Sequence, residues 1–257
     1  MNYGLYLSAN GISSAQHRMN VLSNNLANAN TVGFKPSEVV LGERAREPQA
    51  LDTLTDSKQL LEQLGGGTRI AYSGLNLRQG AIDNTGVRTN LALQGEGFLQ
   101  LEDGQNGTKN LTRDGSLMFD GQGILRHQAS GLAVLNRDGG QIRLGGDEQL
   151  RFDGFGSGGE MLDRANPETP LAMVGVVEAP AESLRPNGRN VLQTKDALSP
   201  NSKTTVIGSA LEQSGSNPIS GMVELIKLTR EVEMNSRMIQ YQDAMIGQAV
   251  TSLGRVV

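Results

Sequence analysis

The sequence predicts an α+β fold, mainly β, in which N- and C-terminal heptad helices form a coiled-coil core with a Gly-rich antiparallel β-domain between them. Apolar residues near both ends of the chain recur every seven residues, which is typical of helices that pack along each other. Glycine supplies 33 of the 257 residues and is concentrated between these ends, where it interrupts helices and provides turns.

The predicted boundaries divide the chain into four segments. Residues 1–42 hold the N-terminal helix and an Asn-rich motif. Residues 43–67 form a connecting arm, with a candidate short helix at Asp56–Leu64. Residues 68–210 form a β-rich outer domain, and residues 211–257 form the C-terminal helix.

The N-terminal segment carries two rows of residues spaced by seven. The first row is apolar and consists of Leu5, Ile12, Met19 and Leu26. The second row has mostly small side chains and consists of Ser8, Ala15, Leu22 and Ala29. Arg18 is the only Asp, Glu, Lys or Arg among the first 34 residues. Because a helix on a monomer surface normally carries charges on its outer face, this pattern favours contact with further chains over packing on its own domain alone.

The middle of the chain contains short apolar runs separated by turn residues. Leu91–Leu93, Phe98–Leu101 and Leu132–Leu135 are examples of such runs. Asp-Gly pairs such as Asp103-Gly104 and Asp120-Gly121 favour hairpins, since both residues tolerate positive φ. The glycine-rich run from residue 154 to residue 159 lacks the Gly-Lys-Ser/Thr of a phosphate-binding loop, so it is predicted to be a flexible loop.

The C-terminal segment repeats the heptad pattern. One row consists of Leu225, Val232, Ile239, Ile246 and Leu253, and its companion consists of Leu228, Asn235, Gln242, Ala249 and Val256. Pro218 near the start, with no later proline, permits one long helix. We predict subunit assembly through apolar heptad residues of both ends: Leu5, Ile12, Met19, Leu22, Leu26, Leu225, Leu228, Val232, Ile239, Ile246 and Leu253.

An Asn-rich segment, Ser23–Lys35, follows the N-terminal rows and has the character of a helix end. Gly33 can adopt the left-handed conformation after a last helical turn, and Pro36 prevents helical continuation. The segment resembles the signature of the flagellar rod and hook axial proteins. The residues that carry the resemblance are Asn25, Leu26, Ala27, Asn28, Asn30, Thr31, Gly33, Phe34 and Lys35. Three later stretches also resemble elements of that family: Gln94–Leu99, Leu111–Leu117 and Leu211–Ser214.

This resemblance implies a structural subunit of the bacterial flagellar basal-body rod, the periplasm-crossing drive shaft needed for motility. Its partners would be copies of itself, other rod and hook axial subunits, and the flagellar type III export apparatus. Export would occur without a cleaved signal peptide. The tail Met238–Met245 favours the proximal-side rod type over the distal type. A hook protein or another secreted appendage protein is the alternative.

The remaining sequence features argue against chemistry at a site. A net charge of −4 without a basic cluster argues against nucleic acid, and no apolar run approaches the 18 residues of a membrane span. The chain has no Cys, and its two histidines, His17 and His127, have neither metal-ligand spacing nor a nucleophile motif. We therefore expect no enzyme activity, cofactor, metal or small-molecule substrate, with a nucleotide-binding enzyme as the distant alternative.

Overall fold

The computed structural model describes residues 3–43, 68–104, 107–166, 168–200 and 203–253. These residues form two compact units. The helical unit comprises the described residues of Met1–Ala27, Ser37–Gly74 and Asn217–Val257, and the β unit comprises those of Asn28–Pro36 and Leu75–Ser216. The candidate short helix at Asp56–Leu64 and almost all of the predicted connecting arm lie outside the described residues.

The elements form an α+β architecture that is mainly β, as the sequence predicts. In chain order they are α1 (Tyr3–Ala27), β1 (Ser37–Glu43), β2 (Thr68–Leu75), β3 (Ile82–Asn84), β4 (Leu91–Gln94), β5 (Phe98–Leu101), β6 (Lys109–Thr112), β7 (Leu117–Phe119), β8 (Leu125–His127), α2 (Gly146–Arg151), β9 (Phe152–Phe155), β10 (Met161–Asp163), β11 (Val176–Glu178), β12 (Arg185–Pro186), β13 (Leu192–Thr194), β14 (Ser199–Pro200), β15 (Thr205–Gly208), β16 (Ala210–Glu212) and α3 (Pro218–Leu253). A 3₁₀ turn at Ala181–Ser183 precedes β12.

Within the helical unit, α1 and α3 pack side by side in opposite directions. Residues near the start of α1 meet residues near the end of α3, and Arg18 near the end of α1 pairs with Glu224 near the start of α3. Asn217 begins α3, because its side-chain oxygen accepts the backbone N–H of Ile219 at 3.0 Å, which satisfies a donor that the helix leaves free. The helix pair that the two heptad patterns predict is therefore present. Its supercoiling into a coiled coil remains a prediction. β1 and β2 form a separate two-stranded sheet.

The β unit is built around a six-stranded sheet with the order β12-β13-β6-β5-β11-β14. All of its neighbouring strands are antiparallel. Two-stranded pairs surround it: β3 with β16, β4 with β15, β7 with β8, and β9 with β10. The hairpins predicted at Asp103-Gly104 and Asp120-Gly121 are confirmed, since they connect β5 to β6 and β7 to β8. The predicted run Leu132–Leu135 makes only isolated bridges.

The glycine-rich run from residue 154 to residue 159 lies in a hairpin between β9 and β10. Its first residues belong to β9 and the others form the connecting turn, whereas the flexibility of that turn remains a prediction. Phe152, Phe155 and Met161 are buried in the main core, so apolar side chains on both sides of the glycines hold the hairpin in place.

The core of the β unit lies on both faces of the central sheet. Leu99 and Leu101 of β5 face the main cluster, whereas Phe98 of the same strand faces a second cluster. This alternation follows from the two-residue period of a strand. The second cluster consists of Phe98, Leu111, Val177, Ala179, Leu184 and Leu192. Because both faces are covered, the sheet fixes the positions of the loops at its edges.

Candidate functional site

The Asn-rich signature is divided between the two units. α1 ends at Ala27, so Asn25, Leu26 and Ala27 are helical, while the remainder of the signature belongs to the β unit. In the helical unit the Asn25 amide donates to the Ser37 carbonyl at 2.8 Å and accepts the Ser37 N–H at 3.0 Å. Asn25 therefore ties the end of α1 to the start of β1.

In the β unit, the rest of the signature forms a succession of turns. The Thr31 N–H donates to the Asn28 carbonyl at 3.1 Å, and the Thr31 hydroxyl lies 3.2 Å from the side-chain oxygen of Asn28. The Phe34 carbonyl accepts the N–H of Gly215 at 3.0 Å. Backbone hydrogen bonds and one contact between the side chains of Asn28 and Thr31 thus hold this part of the motif after the helix has ended.

Gly33 has the predicted left-handed conformation, with φ of 63°, but for a different reason from the one predicted. The helix has already ended at Ala27, so Gly33 does not cap it. A Cβ at Gly33 would lie 2.5 Å from the carbonyl oxygen of Arg113, and the Gly33 N–H donates to the Glu212 carbonyl at 2.7 Å. Glycine is required here because the signature packs directly on another backbone segment.

We expect Gly33→Ala to destabilise the β unit by about 3 kcal/mol or more, because the left-handed conformation and the backbone clash act together. Gly86→Ala is the matched control. Gly86 also has positive φ, at 67°, but nothing lies within 4 Å of its ideal Cβ, so a loss of about 1 kcal/mol is expected. Urea unfolding of the two variants measures the difference, and equal losses would contradict the close-packing explanation.

Three charged side chains from separate motifs meet beside Gly33 in a buried charge cluster, which we define as Lys35, Arg113 and Glu212. The Lys35 ammonium lies 2.7 Å from one oxygen of Glu212, and the Arg113 guanidinium lies 3.3 Å from the other. The side chains are 2%, 4% and 0% exposed for Lys35, Arg113 and Glu212, respectively. The cluster therefore joins the signature, the segment after β6 and the end of β16 away from water.

Further polar contacts complete the charge cluster. Lys35 also donates to the Arg78 carbonyl at 2.8 Å, and Arg113 donates to the Gly95 carbonyl at 2.6 Å. Burial lowers the pKa of Lys35, and the hydrogen bond and attraction of Glu212 only partly oppose this effect. Burial likewise lowers the pKa of Arg113 against the attraction of Glu212. Two cations thus depend on one carboxylate, which makes Glu212 the central member.

A second polar group holds the signature from the other side. The Asn190 amide donates to the Val32 carbonyl and lies 3.4 Å from Asp114. Asn190 has a φ of 61° and follows Gly188 and Arg189, which also have positive φ. Such a backbone is unfavourable for residues other than glycine, so the turn is held in a strained form that presents this amide to the signature.

His127 belongs to the same polar region, where its ring lies between Asp114 and Ser130. Its Nε2 is 3.1 Å from Asp114 and its Nδ1 is 2.8 Å from the Ser130 hydroxyl. Burial raises the pKa of Asp114, but hydrogen bonds with His127 and Ser116 outweigh burial and lower the pKa overall. The order Ser–His–Asp matches that of hydrolase triads. However, the His127 side chain is 0% exposed and the Ser130 oxygen also accepts the Leu132 N–H at 3.3 Å, which fits a structural role.

The residues predicted for subunit assembly lie within the helix pair of a single chain. Leu228 is 1% exposed. The others described are half-buried: Leu5, Ile12, Met19, Leu22, Leu26, Leu225, Val232, Ile239 and Ile246. The side chain of Leu253 lies outside the described residues. The heptad rows therefore account for the packing of α1 on α3, and their part in assembly remains a prediction.

The opposite face of α3 carries an apolar surface that the sequence analysis missed. We define the outer stripe as Ile219, Val223, Ile226, Met234, Met238, Tyr241 and Met245. Each of these side chains is at least 50% exposed, and Ile219 and Tyr241 reach 75% and 67%. Their spacing of three, four or eight residues places them on one side of the helix. This spacing could have predicted the outer stripe from the sequence, but charged residues such as Arg230 and Glu233 lie between its members and interrupt the apolar pattern.

Two further properties concern the whole of the described chain. Within the described ranges, no helix is both long enough and apolar enough to cross a membrane. No group of three or more His, Cys, Asp or Glu side chains in those ranges is arranged to hold a metal ion.

Comparisons with known proteins match both ends of the chain. Residues 5–35 match the family described as flagella basal body rod protein, and residues 207–252 match the family described as flagellar basal body rod FlgEFG protein C-terminal. The first match ends at Lys35 and the second includes Glu212, so each contains one member of the charge cluster.

Curated relatives extend the similarity to the full length. The chain is 28% identical to the flagellar basal-body rod protein FlgF of Caulobacter vibrioides, over 100% of both chains. It is also 28% identical to the flagellar basal-body rod protein FlgG of Bacillus subtilis, over 96% of this chain and 97% of the relative. The flagellar hook protein FlgE of Helicobacter pylori is 35% identical, but over only 56% of this chain and 20% of the relative. The two terminal matches and the full-length rod relatives together show that the chain is similar to flagellar basal-body rod proteins from end to end.

Proposed function

We propose that the chain is a structural subunit of the flagellar basal-body rod, and not an enzyme. Full-length similarity to rod proteins supports this function over that of a hook protein, since the hook relative of Helicobacter pylori is matched over only 20% of its length. The observation that carries the proposal is the outer stripe. Clusters of exposed apolar side chains on a protein surface mark interaction sites, and here such side chains recur along one side of a 36-residue helix.

The proposed partners are copies of this chain and other axial subunits of the flagellum. In such an assembly the heptad rows would hold α1 on α3 within a subunit, and the outer stripe would contact neighbouring subunits. The only charged residue of α1, Arg18, pairs with Glu224 and Glu231 of α3. The outer face of α1 is therefore uncharged, which fits close contact with another helix. This arrangement explains why α3 has apolar residues on two opposite sides.

Location and export are further parts of the proposal. A rod subunit lies in the basal body, and the proposed position is in the periplasm after passage through the flagellar type III export apparatus. We favour the proximal-side type, on the basis of the tail Met238–Met245. The full-length relatives include both FlgF and FlgG at 28% identity, so the position is best tested by imaging basal bodies from a deletion strain. The stage at which the rod stops growing identifies the segment.

The experiment that tests assembly is the double substitution Met234→Glu and Met238→Glu in the full chain, introduced in place of the native gene. Both side chains are more than half exposed, so the helix pair is expected to form normally. Two charges in an apolar contact between subunits are expected to prevent assembly of the subunits, because burying an unpaired carboxylate costs several kcal/mol. We expect complete loss of swimming in soft agar and basal bodies without a finished rod.

The matched control is Thr229→Glu with Gln240→Glu. Both positions are exposed on α3 but lie outside the outer stripe, so this variant carries the same added charge on the same helix. It is expected to swim. Normal swimming by the Met234→Glu, Met238→Glu variant would rule out the outer stripe as an assembly surface.

A further inference from the structure

The contact between α1 and α3 contains a row of polar contacts beside its apolar rows. In α1 the positions 4, 11 and 18 are spaced by seven and are occupied by Gly, Gly and Arg. An ideal Cβ on Gly4 would lie 2.3 Å from the Gln242 amide nitrogen, and one on Gly11 would lie 2.9 Å from the Asn235 amide nitrogen. The amides of α3 therefore occupy the space that side chains of α1 would otherwise fill.

The same row continues at Arg18 with an ionic contact. The Arg18 guanidinium lies 2.7 Å from Glu224 and 3.6 Å from Glu231. These two carboxylates are themselves seven residues apart, so Arg18 lies between equivalent positions of two successive heptads of α3. We define the polar row as Gly4 with Gln242, Gly11 with Asn235, and Arg18 with Glu224 and Glu231.

The apolar rows alone do not determine how far α1 lies along α3. Because they repeat every seven residues, a shift of one heptad, about 10 Å, restores most apolar contacts. The polar row does not tolerate this shift. In one direction Gly11 would face Gln242 and Arg18 would lie between Glu231 and Met238. In the other direction, Gly11 would face Leu228 and Arg18 would keep only Glu224.

The polar row also has an energetic disadvantage that a purely stabilising contact would not have. Among the described residues, the side-chain oxygen of Gln242 is buried without a hydrogen-bond partner, and an unsatisfied buried acceptor is unfavourable. Polar residues in an otherwise apolar helix contact are known to specify register at the expense of stability. Two glycines inside a helix are unfavourable as well.

We infer that the polar row fixes the register of α1 on α3, and that it does so by making every heptad-shifted arrangement less stable than the native one. Gly4 and Gly11 admit the two amides only in the native register. Arg18 finds two carboxylates only in the native register. The apolar rows supply affinity between the helices, and the polar row determines which of several equivalent apolar arrangements forms.

The chain has no Cys, so two introduced thiols report register through a disulfide in the full-length protein at low concentration. Leu26→Cys with Gly221→Cys reports the native register, because the two positions face each other, with the Leu26 Cδ1 3.9 Å from an ideal Cβ on Gly221. Leu26→Cys with Leu228→Cys reports a shift of one heptad. With the polar row intact, we expect the first disulfide and less than about one tenth as much of the second.

Removing the polar row is expected to permit the shifted register. In the variant Arg18→Leu, Asn235→Leu, Gln242→Leu, the yield of the Leu26→Cys, Leu228→Cys disulfide should rise at least ten-fold. The matched control places leucine at the exposed positions Thr229, Arg237 and Gln240 of the same helix, outside the outer stripe, and should leave both yields unchanged. A native disulfide pattern in the variant without the polar row would overturn the inference.

Exchanging the charges of Arg18 and its two carboxylate partners provides a second test, which does not require replacing the polar row with leucine. Arg18→Glu should lower the yield of the native disulfide by repulsion from Glu224 and Glu231. Adding Glu224→Arg and Glu231→Arg to the same chain should restore that yield, because the attraction is re-established with opposite signs. Failure of the exchange to restore the disulfide would overturn the role of Arg18 in the register.

Discussion

Replacing Glu212 with alanine is expected to destabilise the β unit by about 3–5 kcal/mol, because the substitution leaves two buried cations without their carboxylate. Glu212 is fully buried between Lys35 and Arg113 and also accepts the N–H of Gly80 at 2.8 Å. Glu212 thus forms an ion pair with each cation, and Glu96 adds only a weaker attraction to Arg113. The measurement is the free energy of unfolding from urea titration of the full chain.

Substituting Lys35 instead should have a smaller effect. The cluster has two positive charges and one negative charge, so Lys35→Met leaves Arg113 and Glu212 as a neutral pair, with an apolar side chain of similar length in the vacated space. A loss of less than half of that caused by Glu212→Ala is expected. This order of effects is specific to a shared carboxylate, since two independent salt bridges would give similar losses on either side.

The control for both substitutions is Asp153→Asn, which breaks an ion pair in the same unit. Asp153 lies 2.8 Å from Arg164, but both side chains are about half exposed, so a loss below about 1 kcal/mol is expected. If Glu212→Ala were no more destabilising than Asp153→Asn, the buried cluster would not be holding the signature in place.

Leu228→Asp is expected to disrupt the helix pair. Leu228 is 1% exposed, and its replacement removes buried apolar area while introducing an unpaired carboxylate, a loss of about 3 kcal/mol or more. Amide hydrogen exchange should become fast across α1 and α3 and remain slow in the β unit. Swimming should be lost as well. Leu225→Asp and Ile239→Asp, at half-buried positions of the predicted row, should act in the same direction.

The control for Leu228→Asp is Met234→Asp. Met234 is on the same helix but 64% exposed, so exchange in α1 and α3 should stay slow, although assembly is expected to fail. The two substitutions thus separate packing within a subunit from contact between subunits. Equal protection of the helices in both variants would show that Leu228 does not hold the pair together.

The helix pair could be predicted because its information is local and periodic. Residues seven apart in a helix lie on one side, so the rows beginning at Leu5 and Leu225 were visible without knowledge of any partner. The prediction did not reveal that α3 uses two faces. Met234, Met238 and Tyr241 occur among charged residues, and a single sequence does not show which side of a helix is left uncovered.

The charge cluster could not be predicted, although each of its motifs was recognised. Lys35, Arg113 and Glu212 lie in three separate stretches that resemble the axial family, and Lys35 and Glu212 are 177 positions apart. Spacing rules apply to neighbours in sequence and say nothing about such distant pairs. The same limitation explains Gly33, whose left-handed conformation was predicted from the helix end while the actual cause, the backbone of Arg113, lies on another segment.

The hairpin of β9 and β10 was missed because its glycines were given more weight than the residues around them. Gly154 has a φ of 137°, which only glycine adopts readily. Phe152, Phe155 and Met161 nevertheless supply enough buried area to fix the segment. The glycine-rich sequence therefore indicated irregular backbone correctly but did not reveal the hairpin.

The buried position of Glu212 also constrains the order in which the β unit can form. When a chain becomes available for folding from its N-terminus onward, Lys35 and Arg113 are present long before Glu212. Until Glu212 follows, both cations lack this carboxylate partner. Closing a contact across 177 residues is slow relative to local hairpins, so the hairpins can form early while the signature stays undocked. We therefore expect the docking of β16, the last strand of the β unit, to complete the domain, and a chain truncated before residue 212 to retain its hairpins without a finished domain.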